Sequence, residues 1–138
     1  MDNKFEASQT FENLKKAFED EAKLYFRYKF FLSVSEYEGL GKISKTLRDF
    51  SEGSLDNVNG SLDFLRNFKD PSSQVPIGNS SQNIASILQT EIEQANEIYP
   101  EMAKIARDEG FSDVASWFDT LEKLKRHHVS RLKENQSE

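Results

Sequence analysis

Four stretches of this 138-residue chain carry apolar side chains at alternating steps of three and four, and none shows sustained period-two alternation. The first stripe is Leu14, Phe18, Tyr25, Tyr28 and Leu32, running through Glu21. The second is Ile43, Leu47, Phe50 and Phe64, running through Ser54, Asn57 and Ser61. Ile84, Ile87 and Ile98 form the third through Glu91 and Gln94, and Val114, Phe118, Leu121 and Leu132 the fourth through Lys125 and His128. Such spacing is the seam of a left-handed helical bundle. It leaves four helices as the reading, with polar side chains on the inward stripe at mid-depth in each.

Chain breakers set the boundaries. Pro71 and Pro76 lie in a polar stretch rich in Ser, Pro, Gly and Asn, Gly39 and Gly41 make a second break, and Gly110 a third. The helices are therefore expected at about 10–38, 41–68, 81–109 and 112–133, with a crossover over 70–81. The arrangement is one domain of two helical hairpins joined by a long connection.

The two halves repeat. Asn13-Leu14 matches Asn83-Ile84 and Glu21 matches Glu91 at a shift of 70, while Glu38-Gly39 matches Glu109-Gly110 at 71. Ser54 and Asn57 then fall on Lys125 and His128, and Tyr28 on Tyr99. The extra residue lies between Glu91 and Glu109, an interval that contains Pro100. A kink or one-residue bulge is predicted there.

Composition narrows the function. The formal net charge is -6 and the pI about 5.0, which argues against a nucleic-acid partner. There is no cysteine, so disulfides, Cys-ligated zinc, iron–sulfur centres and thiol catalysis are excluded for these residues. His127 and His128 are the only histidines, which disfavours a Ser-His-Asp hydrolase or a three-histidine zinc site. No run of about 20 apolar residues is present to span a membrane, and Met1-Asp2-Asn3-Lys4 does not read as a signal peptide. A cytoplasmic location is expected.

The chain also resembles a known family. Thr10-Phe11-Glu12-Asn13-Leu14, Ala17-Phe18, Glu21, Arg27-Tyr28 and Glu38-Gly39 are similar to the first half of a rubrerythrin. Tyr99-Pro100-Glu101, Ala103 and Glu109-Gly110-Phe111 are similar to its second half, and the likeness runs from about Thr10 to Leu132. The resemblance implies an all-α, ferritin-like four-helix bundle with a carboxylate-bridged di-iron site that reduces peroxide, usually with electrons from a Cys-rich rubredoxin domain. Nothing in these cysteine-free residues corresponds to that donor.

Carried over position by position, the implied site is degenerate. Glu21 and Glu91 stand at the first- and third-helix glutamates, and His128 at the last histidine. Gln94 replaces a further third-helix glutamate, Ser54 and Asn57 replace the second-helix Glu-x-x-His pair, and Lys125 replaces the fourth-helix glutamate. The family site sets five glutamates against two ferrous ions, a net of minus one. Glu21, Glu91 and Lys125 with neutral His128 also sum to minus one. The resulting expectation is a core without metal, in which Lys125 pairs with Glu21, Glu91 or both, and Ser54, Asn57 and Gln94 join a hydrogen-bond network. Tyr28 and Tyr99 are expected in the core with hydroxyls bonded to Glu91 or Glu21. Ordinary readings stand beside these: Glu21 and Glu91 as surface glutamates, Lys125 as a solvated lysine, His128 as a core histidine.

Three functions remain open. The first is a metal-free interaction, structural or regulatory protein. The second is an oxidoreductase reacting with peroxide or oxygen, its iron or zinc held by Glu21, Glu91 and His128, with Glu93, Glu97 or His127 recruited and an external electron donor. The third is a small-molecule binding module using space left by the lost ligands. Phe26, Phe30 and Phe31 lie off the inner seam, so a homodimer or another protein partner is expected.

Overall fold

The computed structural model describes residues 2–66 and 68–136, and every regular element among them is helical. The elements are α1 (Asp2–Glu6), α2 (Gln9–Tyr37), α3 (Gly41–Leu65), α4 (Ser80–Glu93), α5 (Tyr99–Asp108) and α6 (Ser112–Asn135). A π-helical stretch, Gln94–Ile98, joins α4 to α5. The four striped segments thus become α2, α3, the run α4 to α5, and α6. The second ends at Leu65 rather than 68, because Arg66 takes an extended backbone; Asn67 lies outside the described residues. The short α1 has no counterpart in the sequence reading. No helix is long and apolar enough to cross a membrane among the described residues.

The chain divides into two units, the residues up to Phe68 and those from Lys69 onward. Each is a helical hairpin. In the first, α2 turns into α3 through Glu38-Gly39-Leu40, where Gly39 has φ +75° and the Leu40 amide bonds the Ser35 carbonyl at 3.0 Å. This is the αL helix stop that glycine serves. Small side chains let the two helices approach: Ser35, Ser44, Ser51 and Ser54 are buried, and the hydroxyls of Ser35 and Ser44 share a 2.8 Å hydrogen bond. The rings of Phe5, Phe11 and Phe68 pack at 5.0–6.3 Å.

The second hairpin repeats this plan. Gly110 has φ +87°, and the Phe111 amide bonds the Ala106 carbonyl at 2.8 Å. Ala106 and Ala115, the repeat equivalents of Ser35 and Ser44, are both buried. The ion pair Arg48–Glu36 becomes Arg107–Asp119, the same two positions with the charges exchanged. Residues 69–79 lie along α4. The Asp70 carboxylate accepts from the amides of Ser72 and Ser73, and the Ser73 hydroxyl bonds that of Ser86 at 2.6 Å. Ile77 is buried, and a capping box of Asn79 and Gln82 opens the helix.

The predicted bulge falls at Gln94–Ile98, where the Tyr99 amide reaches back five residues to the Gln94 carbonyl. Continuing that pattern would require an amide hydrogen from residue 100 for the Ala95 carbonyl, and Pro100 has none. Arg126 supplies the donor: its Nη2 bonds the Ala95 carbonyl and its Nη1 the Asn96 side chain, each at 3.1 Å.

One expectation needs correction. Ile43, Phe50, Phe64, Ile87 and Val114 lie on the predicted inward stripe but are exposed, while Ser44 and Ser51, off the stripe, are buried together with Ser54 on it. Between the two helices of the first hairpin, small residues occupy the closest approach. Outside the packing, Asp20 and Asp108 hydrogen-bond Lys16 and Lys104 and hold both ammoniums above their ordinary 10.5. The stability these exposed pairs add is present below that value and lost as pH rises through the folded-state one.

Replacing Gly39 or Gly110 by alanine forces a Cβ into the left-handed region, and each variant should lose about 1 kcal/mol in urea unfolding. Arg126→Met should lose about 1–2 kcal/mol by orphaning the Ala95 carbonyl. In a Pro100→Ala background, where an amide is restored, that loss should shrink, and a double-mutant cycle reads the coupling.

Candidate functional site

Each hairpin places one glutamate from its first helix against the end of the same stripe on its second. In the first unit Glu21 lies on α2 and Asn57 on α3, and the Asn57 amide donates to Glu21 Oε1 at 2.9 Å. The other carboxylate oxygen, Oε2, is buried without a hydrogen-bond partner. Ser54, one turn before Asn57, is buried.

In the second unit Glu91 lies on α4, with Lys125 and His128 one turn apart on α6. The Lys125 ammonium donates to Glu91 Oε1 at 2.9 Å, and His128 Nδ1 lies 3.3 Å from Oε2. The side chains of Glu91 and Lys125 are only 13% and 19% exposed, so this ion pair works in a low-dielectric setting; His128, at 41%, is more open. The Asn57–Glu21 and His128–Glu91 contacts join repeat-equivalent positions. A side-chain nitrogen faces the carboxylate in both halves. Lys125 is the addition, standing where the first half has Ser54.

The remaining candidates fall elsewhere. The Gln94 carbonyl oxygen is buried with no hydrogen-bond partner, so Gln94 does not complete the expected network. Tyr28 packs on Phe50 with ring centres 5.7 Å apart, and Tyr99 stacks on Phe118 at 6.4 Å. Within each hairpin, among the described residues, no hydrogen bond joins the Tyr28 hydroxyl to Glu21 or the Tyr99 hydroxyl to Glu91, and packing on the neighbouring helix holds both rings. Glu93, Glu97 and His127 are exposed and do not join Glu91. Among the described residues no three His, Asp or Glu side chains form a group able to hold a metal ion. Sequence reasoning missed Arg126; its signal was Pro100, five residues after a carbonyl that must then find another donor.

Helical hairpins repeated within one chain and joined by a long connection define an all-α protein of the ferritin-like four-helix class. Residues 12–135 match the rubrerythrin family profile, and the chain belongs to that family. It is 27% identical over 135 residues to the rubrerythrin of Porphyromonas gingivalis, a match covering 95% of this chain and 68% of that protein. Rubrerythrin-1 of Clostridium acetobutylicum is 29% identical over 132 residues, covering 90% and 68%. A putative rubrerythrin of Methanocaldococcus jannaschii is 24% identical over 138 residues, covering 91% and 68%.

Lys125→Met removes the ammonium and leaves Glu91 poorly solvated. It should cost about 2–3 kcal/mol of unfolding free energy, somewhat below a fully buried pair because some solvent reaches the site. Asn57→Ala, which removes the neutral amide from Glu21 Oε1, should cost about 1 kcal/mol in the same measurement.

Proposed function

We propose that this rubrerythrin-family chain works without the di-iron centre the family resemblance implies, and that its role is interaction, structural or regulatory rather than catalytic. The observation that carries the reading is the Lys125 ammonium on Glu91 Oε1. A ligand glutamate must present its carboxylate to the metal, and here a cation already occupies one oxygen. A second cation brought to the same group is repelled. His128 faces the other oxygen, so both lone-pair faces of Glu91 have protein partners. Ser54, Asn57 and Gln94 are neutral and poor ligands for iron. These donors do not fit a di-iron centre. A cytoplasmic homodimer or a complex with another protein belongs to the same proposal.

One observation favours a second reading. Glu91 and His128 are adjacent. With Lys125 swung away, this pair would be the remnant of a mononuclear iron or zinc site, to which the family resemblance would add Glu21, in a peroxide- or oxygen-reactive oxidoreductase with an external electron donor.

Metal content separates the two. After anaerobic loading with excess ferrous iron and desalting, elemental analysis should find iron and zinc near zero in protein that keeps its helical circular dichroism. About two irons per chain would overturn the metal-free reading, and about one would favour the mononuclear site. Lys125→Glu turns the second unit's cluster into two carboxylates and an imidazole, so this variant, loaded with excess zinc and desalted in the same way, should retain about one zinc per chain.

A further inference from the structure

Where the π-helical stretch meets α6, the second unit has a groove of about 260 Å³, lined by Ile92, Ala95, Asn96, Arg126, Val129 and Lys133. At about 100° per residue, Arg126, Val129 and Lys133 share one side of α6, roughly 130° around the helix from His128. The floor is apolar: Ala95 is 2% exposed, with half-buried Ile92 and Val129 beside it. The polar side chains offer donors. Arg126 uses three of its five N–H groups on Glu122, Asn96 and the Ala95 carbonyl, which holds the guanidinium in place and leaves one N–H on each Nη. Asn96 meets Arg126 with its oxygen, so its amide hydrogens turn elsewhere. Lys133 has no ion pair among the described residues.

The repeat marks these cations as an addition to one half. At the shift of 71, Leu55, Val58 and Leu62 stand where Arg126, Val129 and Lys133 do. The second half keeps the valine and replaces both leucines by cations. It does so beside a π-bulge, where α2 of the first half runs on as an unbroken α-helix. Such bulges are frequent at functional sites.

We propose that this groove binds a small organic monocarboxylate, its carboxylate held by Arg126 and Lys133 and its aliphatic body laid on Ile92, Ala95 and Val129. Donors on the polar side call for a ligand end that only accepts, and a planar carboxylate suits the guanidinium. The apolar floor favours a ligand with a hydrocarbon body over a bare inorganic anion. The proposal does not rest on the metal reading.

Sodium hexanoate is the probe, followed through the amide chemical shifts of the isotope-labelled full chain. Ala95, Asn96 and Val129 should shift saturably, with half-saturation at about 1 mM or below. Hexanol carries the body without the charge and acetate the charge without the body; each should bind at least about tenfold more weakly. Lys133→Gln should weaken hexanoate binding at least about fivefold. Val129→Phe fills the floor and should abolish saturation while helical circular dichroism is unchanged. No saturable shift up to about 20 mM hexanoate would overturn the proposal. So would hexanol or inorganic phosphate binding as tightly as hexanoate, or a Lys133→Gln variant that binds like the native chain.

Discussion

Both hairpins depend on the close approach of two helices where neither carries a bulky side chain. Ser35 and Ser44 meet in one, and the equivalent Ala106 and Ala115 are both buried in the other, each just inside a turn stopped by a left-handed glycine. The turn fixes where the second helix begins, and the small pair fixes how near it lies. That close contact sets the register of everything further along. Glu21 then comes level with Asn57, and Glu91 with Lys125 and His128. The serine version holds its contact with a hydrogen bond and the alanine version by packing alone, so one geometry survives a change in polarity.

On that frame the two carboxylates have diverged. Glu21 has a neutral amide partner and one buried oxygen with none. Glu91 has an ammonium and an imidazole. A poorly solvated carboxylate must be answered by hydrogen bonds, a cation or a metal. The second half answers with its own lysine. The bulge beside it is met in the same manner: Pro100 removes a donor and Arg126 restores one from the facing helix.

Much of this was legible in the residues. Steps of three and four located the helices, Gly39 and Gly110 the turns, and the change of shift from 70 to 71 the bulge, because an extra residue within a helix has few other places to go. The stripe did not say which of its members a hairpin would bury. Ile43 and Phe50 looked like core and are exposed, whereas Ser44 and Ser51 looked polar and are buried, because closeness of approach is a pairwise property that hydropathy does not encode. Position 125 was readable as a lysine among site residues, but its choice of Glu91 depends on side-chain reach across one hairpin. The tyrosine rings pack on Phe50 and Phe118 of the neighbouring helix, a pairing that the stripe alone did not give.

A chain made of two similar hairpins faces a hazard: the first helix of one half can find the second helix of the other. The exchanged ion pair bears on that choice. Correct partners set Glu36 against Arg48 and Arg107 against Asp119. A hybrid of α2 with α6 would set Glu36 against Asp119, and one of α5 with α3 would set Arg107 against Arg48. Both wrong pairings bring like charges together, and both right ones bring opposites. Reversing a single pair of surface charges thus favours the native pairing over the hybrid by the worth of an exposed ion pair, about 0.2–1 kcal/mol, at positions where two unreversed copies would be interchangeable.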